Sequence, residues 1–151
     1  RQLKGLLNWD MRDITLKIVG KQCFDDKEED QMEFVTDGKI YLKDGSIYLL
    51  YDESEVSGMT GCKTSLKITD NSVKMKRIGD VGFGAELYFE EGKRFCSVYR
   101  TPYGPMDVEV VTKWIDDRMD RENLSGSIDI KYEISLQGMA EGRNRLTIDV
   151  M

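Results

Sequence analysis

The segment IDIKYEISLQ, residues 128–137, shows most clearly how this chain folds. Apolar side chains at its first, third, fifth, seventh and ninth positions alternate with polar side chains between them. Such a period of two is typical of a β-strand with one buried face and one face in water. A helix repeats about every 3.6 residues, so in a helix these apolar side chains would be scattered around the axis. The segment therefore predicts a half-buried strand.

The same alternation recurs from one end of the chain to the other. No stretch between the strand candidates has a helical period long enough to connect parallel strands, which excludes a parallel α/β architecture. The chain is therefore predicted to be all-β. The further strand candidates are residues 14–18, 32–42, 46–52, 64–68, 73–78, 85–89, 95–100, 106–110 and 146–150.

Short turn motifs separate these strand candidates. Asp44-Gly45 is a preferred pair for a two-residue hairpin of type I′, in which both residues take positive φ angles. Asp70-Asn71 and Glu91-Gly92 are weaker turn candidates, and Thr101-Pro102-Tyr103-Gly104 has the residue order of a type I turn. Short hairpins build a meander, and a meander of about eight to ten strands loses its exposed edges by closing on itself. These motifs predict an antiparallel up-and-down β-barrel.

A chain of 151 residues has the usual size of one domain, and we assign residues 11–151 to a single barrel. Residues 1–10 differ, because three leucines with helical spacing predict a short helix. This segment is interpreted in two ways. It is either an extension that plugs a barrel end or docks on a partner, or an addition that is not native, since Met11 stands directly before the first strand.

The net charge of −6 argues against nucleic acid and anionic membranes as partners, because both require a surplus of Lys and Arg on one face. The basic run KMKR at residues 74–77 would be divided between two faces of a strand, so it is interpreted as part of a solvated surface. Cys23, Cys62 and Cys96 are odd in number and far apart, which favours a reduced cytoplasmic setting. Monomer and homodimer both stay open.

The stretch SGMTGCKTSLKIT, residues 57–69, is close to a phosphate-binding loop but departs from it. Its glycine spacing is short, Cys62 separates Gly61 from Lys63, and a strand rather than a helix is predicted to come next. The chain has no histidine, and its cysteines and acids lack the spacing of zinc or calcium sites. We therefore expect no cofactor, no metal and no enzymatic activity, with a hydrolase that uses paired carboxylates as a minor alternative.

Arg77 is the first candidate for a ligand-binding residue. It shares its strand phase with Val73 and Met75, so its side chain is expected to point into the barrel and to bind a carboxylate or phosphate group there. In the alternative interpretation, Arg77 reaches solvent or pairs with a buried acid. Aromatic residues could line the same mouth or belong to the core. The remaining candidates for this mouth are Tyr99, Thr101, Tyr103 and Trp114.

Several motifs of the chain resemble one family of small bacterial proteins. They are Glu53 to Glu55 with Gly58, the Lys-Thr-x-Leu-Lys element at residues 63–67, Arg77 with Gly79, and TPYG at residues 101–104. The family that they resemble is DUF1934, or YwiB-like, and the resemblance covers the chain from Met11 to its C-terminus. This resemblance implies a calycin-like, lipocalin-type β-barrel in the cytoplasm. It implies no catalytic residues.

Two functions are compatible with this sequence. The first is non-enzymatic binding of a small hydrophobic, amphipathic or anionic ligand inside the barrel, with Arg77 and nearby tyrosines as polar anchors. The alternative is a protein-interaction scaffold with a solidly packed barrel, which contacts its partner through loops or an outer sheet face. The two hypotheses differ in whether space remains inside the barrel.

Overall fold

The computed structural model describes residues 11–24, 28–57, 61–78, 86–101, 104–137 and 140–151. The described residues form ten strands and one short 3-10 turn at Glu55–Ser57. The strands are β1 (Arg12–Phe24), β2 (Asp30–Lys43), β3 (Ser46–Asp52), β4 (Lys63–Ile68), β5 (Ser72–Ile78), β6 (Glu86–Glu90), β7 (Arg94–Thr101), β8 (Gly104–Asp120), β9 (Ser125–Leu136) and β10 (Ala140–Val150).

The ten strands form one antiparallel sheet in the order β6-β5-β4-β3-β2-β1-β10-β9-β8-β7. Strands that are consecutive in the chain are neighbours in this sheet, apart from the step from β6 to β7. The first and last strands also pair, so that Leu16 lies opposite Val150. The sheet curls into a nearly closed barrel, and the predicted all-β, antiparallel up-and-down barrel of eight to ten strands is confirmed.

The two ends of the sheet meet at a seam, where a few contacts between the segment after β6 and strand β8 replace a full ladder of hydrogen bonds. Glu91, just after β6, forms an isolated bridge with Thr112 of β8. The Gly92 N–H donates to the Thr112 carbonyl over 3.0 Å, and the Thr112 N–H donates to the Lys93 carbonyl over 3.3 Å. The Glu91 carboxylate also accepts the backbone N–H of Ile115 at 2.7 Å. A side chain thus satisfies a strand-edge donor that would otherwise invite another chain.

Strand β8 is longer than its alternation predicts. The sequence indicates a strand at residues 106–110, whereas β8 spans Gly104–Asp120. A register shift between Thr112 and Trp114 adds one residue to the strand and reverses the inward and outward phase of its second half. The inward positions are therefore Val108 and Val110 before the shift, and Ile115 after it. A β-bulge explains why a simple two-residue period missed the second half of this strand.

The predicted turn at Asp44-Gly45 is confirmed, because these residues have φ angles of 52° and 81°, both positive as a type I′ hairpin requires. The connection from β4 to β5 is also short, with three residues, and the Thr69 N–H donates to the Ser72 carbonyl across it at 2.9 Å. The predicted N-terminal helix at residues 1–10 and the centre of the turn at residues 102–103 lie outside the described residues.

The inward side chains form one continuous hydrophobic cluster. Nine of the ten strands contribute at least one inward side chain with no accessible surface at all. Accessible surface includes the wall of any internal void that admits water, so no such void touches these side chains. The apolar part of the interior is therefore filled beside each of these nine strands. Those side chains are Leu16, Ile40, Ile47, Leu66, Ile68, Val73, Phe89, Val110, Ile128, Ile130 and Ile148.

Within the part of the chain that the structure describes, no helix has the length and apolar character needed to cross a bilayer.

Candidate functional site

One end of the barrel interior is polar. Tyr51 of β3, Thr64 of β4 and Arg77 of β5 lie side by side, because Tyr51 is the register partner of Thr64 and Thr64 is the register partner of Arg77. Each of the three keeps the inward phase of its own strand; in β5 that phase runs from Val73 to Arg77. Alternation alone therefore brings a phenol, a hydroxyl and a guanidinium together at the same level of the barrel.

Glu53 completes this group. It comes directly after β3, and its side chain is only 2% exposed. One of its carboxylate oxygens lies 3.7 Å from Nε of Arg77 and accepts a hydrogen bond from the Thr64 hydroxyl. The backbone N–H of Glu53 donates to the Cys62 carbonyl at 2.9 Å, which holds the residue close to β4. We call Tyr51, Glu53, Thr64 and Arg77 the interior polar cluster.

The structure resolves how Arg77 is oriented. Its side chain points inward as predicted, is 22% exposed, and pairs with a buried acid. The pairing with a buried acid agrees with the alternative interpretation of this residue. At 3.7 Å the contact with Glu53 is an ion pair but exceeds hydrogen-bond length, and the described residues supply no hydrogen-bond partner for the buried Nε.

Tyr51 stays protonated within the cluster. Burial raises the pKa of the Tyr51 phenol far above its usual value, and the negative charge of Glu53 raises it further. The positive charge of Arg77 and a hydrogen bond with Thr64 act in the opposite direction but are smaller influences. Since the phenolate is disfavoured, the hydroxyl keeps its proton at every physiological pH.

The charges of the cluster limit its chemistry. A carboxylate or phosphate that approached Arg77 would also approach the Glu53 carboxylate, and like charges that close together repel in a poorly solvated site. The guanidinium therefore has its counter-ion within the protein. Among the described residues, no group of three or more Cys, Asp or Glu is placed to hold a metal ion. Nor does a helix begin after Gly61, because Lys63–Ile68 is β4.

Trp114 does not lie with Arg77, and the prediction of a shared mouth is wrong for this residue. Its ring lies on the outer surface, where the guanidinium carbon of Arg145 is 5.3 Å from the ring centroid. Arg145 also donates two hydrogen bonds to the Asp129 carboxylate, at 3.1 and 2.7 Å. The bulge after Thr112 explains the error, since it moves Trp114 out of the inward phase.

The structure describes Tyr99 and Thr101 by their backbones alone. Both belong to β7, where Tyr99 pairs with Met106 and Thr101 with Gly104. Their side chains and the whole of Tyr103 lie outside the described residues. A ligand-binding role for these three residues stays a prediction.

Open clefts occur on the described surface. One of about 490 Å³ has charged residues, such as Arg94, Glu133 and Arg143, as half of its lining. Another, of about 600 Å³, lies over β1, β2 and β3 and includes Tyr51 in its lining. Arg77 lines neither of them. These clefts therefore do not join the guanidinium to an enclosed ligand chamber.

Sequence reasoning selected Arg77 but missed its partner Glu53. A usable signal was present, because Ile47, Leu49, Tyr51 and Glu53 continue one period of two from β3 into the residues after it. Glu53, Thr64 and Arg77 also all belong to the motifs that carry the family resemblance. The structure brings together three residues that are separated in the sequence.

Comparisons with known proteins agree with this fold. A family model described as a domain of unknown function, DUF1934, matches residues 16–148. The chain is similar to the uncharacterized beta-barrel protein YwiB of Bacillus subtilis (strain 168), with 29% identity over 124 residues that cover 82% of this chain and 83% of YwiB. The crystal structure of the ywiB protein from Bacillus subtilis superposes with a TM-score of 0.68 at 21% identity, over 95% of this chain and 97% of that one.

Proposed function

This chain belongs to the DUF1934 family, and we propose that it is a non-enzymatic protein-interaction module, in which a packed β-barrel is the scaffold and the outer surface contacts a partner. Among the described residues, Cys62 and Cys96 form no disulfide, which supports a cytoplasmic location for this activity.

The filled interior is the observation that carries this proposal. Inward side chains from nine strands have no accessible surface, so a ligand in the middle of the barrel would have to displace them. Pockets that bind small molecules enclose roughly 300 to 1,000 Å³ of space. Opening such a volume would separate packed side chains at a cost of several kcal/mol. A barrel filled by its own side chains acts through its surface.

Binding of a small amphipathic or anionic ligand inside the barrel is the second candidate function. It is favoured by Arg77, whose side chain is partly exposed at the polar end and whose buried Nε finds no hydrogen-bond partner in the described part of the chain. A ligand acid could bind there if Glu53 moved away. The ion pair with Glu53 weighs against this candidate, because the site would lose its own counter-ion on binding.

Two variants of neighbouring residues separate these candidates. Arg77→Met removes the inward cation, and Lys76→Glu reverses an outward charge at the adjacent position of β5. The protein and both variants are purified gently from a bacterial lysate, and each is measured by native and denaturing mass spectrometry. The expected result is that none of the three proteins carries a bound small molecule.

A partner of defined mass is expected to co-purify at moderate salt and to persist in Arg77→Met. A stoichiometric small molecule that is present in the native protein and absent from Arg77→Met would instead support the ligand candidate. Thermal unfolding of both variants verifies that they fold, so that absence of the small molecule from Arg77→Met can be assigned to the missing guanidinium.

A further inference from the structure

A row of aromatic and basic side chains crosses the outer face of five strands. The register joins Tyr41 of β2 to Tyr48 of β3, and Tyr48 to Lys67 of β4. It continues from Lys67 to Lys74 of β5, and from Lys74 to Tyr88 of β6. We call these five residues the tyrosine–lysine row. It is separate from the interior polar cluster, because its members occupy the outward phase of the same strands.

The tyrosines at one end of the row are stacked on each other. The ring centroids of Tyr41 and Tyr48 are 4.8 Å apart, and the ring planes differ by 4°. The ammonium group of Lys67 lies 5.8 Å from the centroid of the Tyr48 ring. A cation held at an aromatic face has fewer conformations to lose when it binds an anion. The row is therefore partly pre-organised.

The row also has a local surplus of positive charge. The outward charged residues of β4 and β5 are all lysines, namely Lys63, Lys67, Lys74 and Lys76. Neighbouring strands neutralise two of them, since Lys63 lies 3.3 Å from Asp52 and Lys74 lies 3.1 Å from Glu86. Among the described residues, no ion pair involves the other two. Lys67 and Lys74 occupy directly opposite positions in the register, and like charges at such positions are destabilising, which favours an anion on this face.

We propose that the tyrosine–lysine row binds an acidic segment of a partner protein. This inference rests on the proposed interaction function and names the partner's chemistry. Carboxylates of the segment would lie beside Lys67 and Lys76, the two lysines of this face for which the described residues supply no ion pair, and Lys74 would add positive charge nearby. The stacked tyrosines supply adjoining apolar surface and hydroxyl donors for the same segment.

Two observations favour an acidic polypeptide over a single-stranded nucleic acid. Bases bind to sheet surfaces by stacking on free aromatic faces, but the Tyr48 ring is already stacked on Tyr41 and has the Lys67 ammonium over it. The whole chain also carries a net charge of −6, which repels a long phosphate backbone. A short acidic segment contacts the row alone and avoids most of that repulsion, because salt screens charges beyond about 10 Å.

The test uses the full chain and a short fluorescein-labelled peptide rich in glutamate, with binding measured by fluorescence anisotropy. The variant that combines Lys67→Glu with Lys74→Glu is expected to bind the peptide at least about tenfold more weakly, since two attractions become repulsions. Its matched control combines Lys21→Glu with Lys131→Glu on β1 and β9, which changes the net charge equally. The control is expected to change binding by no more than about twofold, and thermal unfolding verifies that both variants fold.

Each outcome of the test decides the proposal. The proposal is supported if the peptide changes the amide chemical shifts of the outward residues of β2 to β6 alone, and if only the row variant binds the peptide more weakly. No binding of the peptide, or an equal loss in the control, overturns it. Tighter binding of oligodeoxythymidine than of the peptide to the same row also overturns it and indicates a nucleic-acid surface. A natural partner that still binds the row variant would retain the interaction function but exclude this surface.

Discussion

Lys76 and Arg77 are neighbours in β5, yet they belong to different electrostatic environments. Arg77 points into the barrel, is mostly buried, and pairs with Glu53. Lys76 points outward, is exposed, and has no ion pair among the described residues. The two faces of β4 and β5 thus separate a cation neutralised within the protein from cations available to a partner. The position of a residue within a two-residue period decides which role its charge takes.

The two faces also differ in what their residues contribute to stability. An inward group has lost its water, so its packing and its partner decide its contribution. An outward charge remains hydrated and screened, so removing it changes the free energy of unfolding little. Substitutions at adjacent residues therefore test whether the two faces differ as described.

The largest effect is expected at Leu66, which has no accessible surface at the centre of β4. Leu66→Ala should lower the free energy of unfolding by about 2 to 5 kcal/mol, because it removes buried methyl groups and leaves a cavity. Ser65→Ala, at the adjacent outward position, should change it by no more than about 0.5 kcal/mol. Equilibrium unfolding in urea measures both. A loss below about 1 kcal/mol for Leu66→Ala would indicate a loosely filled interior and would favour the ligand candidate.

A somewhat smaller effect is expected at Glu53. Glu53→Ala leaves the Arg77 guanidinium without its counter-ion and the Thr64 hydroxyl without its acceptor. The expected loss is about 3 kcal/mol, at the low end for a broken buried ion pair because Arg77 is partly solvated. Asp52→Ala removes an exposed acid that pairs with Lys63, and should cost less than about 1 kcal/mol.

The double variant Glu53→Ala with Arg77→Met completes this test. It should recover part of the lost stability, because no buried charge remains unpaired. Additive losses in the double variant would show that Glu53 and Arg77 are not coupled.

The smallest effect concerns Tyr51 at alkaline pH. Burial raises the pKa of its phenol above the ordinary value of 10.0, and Glu53 adds to the shift. Because the folded-state pKa is the higher one, this group's contribution to stability is complete below about pH 10 and is lost as the pH rises above that value. Tyr51→Phe should therefore reduce the decline in stability at high pH. Urea unfolding at several alkaline pH values measures the slope, and an unchanged slope would contradict the assignment of Tyr51 to the buried cluster.

Much of the fold could be predicted from residue order. Alternation located the strands, and Asp44-Gly45 marked a hairpin whose φ angles are those expected. The inward direction of Arg77 could be inferred from the phase of Val73 and Met75. These features are local, because each depends on a few consecutive residues and on the geometry of a single strand.

The errors arose where local rules do not apply. The bulge after Thr112 reversed the phase of β8, and Trp114 was therefore assigned to the mouth although it lies against Arg145 outside. Nothing in the order of residues specifies where a strand takes an extra residue, since this depends on pairing with β9 and on closure of the barrel. The partnership of Glu53 with Arg77 was missed for a similar reason, because it joins a residue that follows β3 to a residue of β5.

The alternating pattern was sufficient to establish an all-β chain, its antiparallel meander and the face on which most side chains lie, because a strand's geometry repeats every two residues. Ring closure, the seam at Glu91 and Thr112, the burial of Glu53 against Arg77, and the alignment of Tyr48, Lys67 and Lys74 into one outer row became visible only in three dimensions. These features depend on the register between strands, and register is an energetic property of the whole sheet rather than of any one segment.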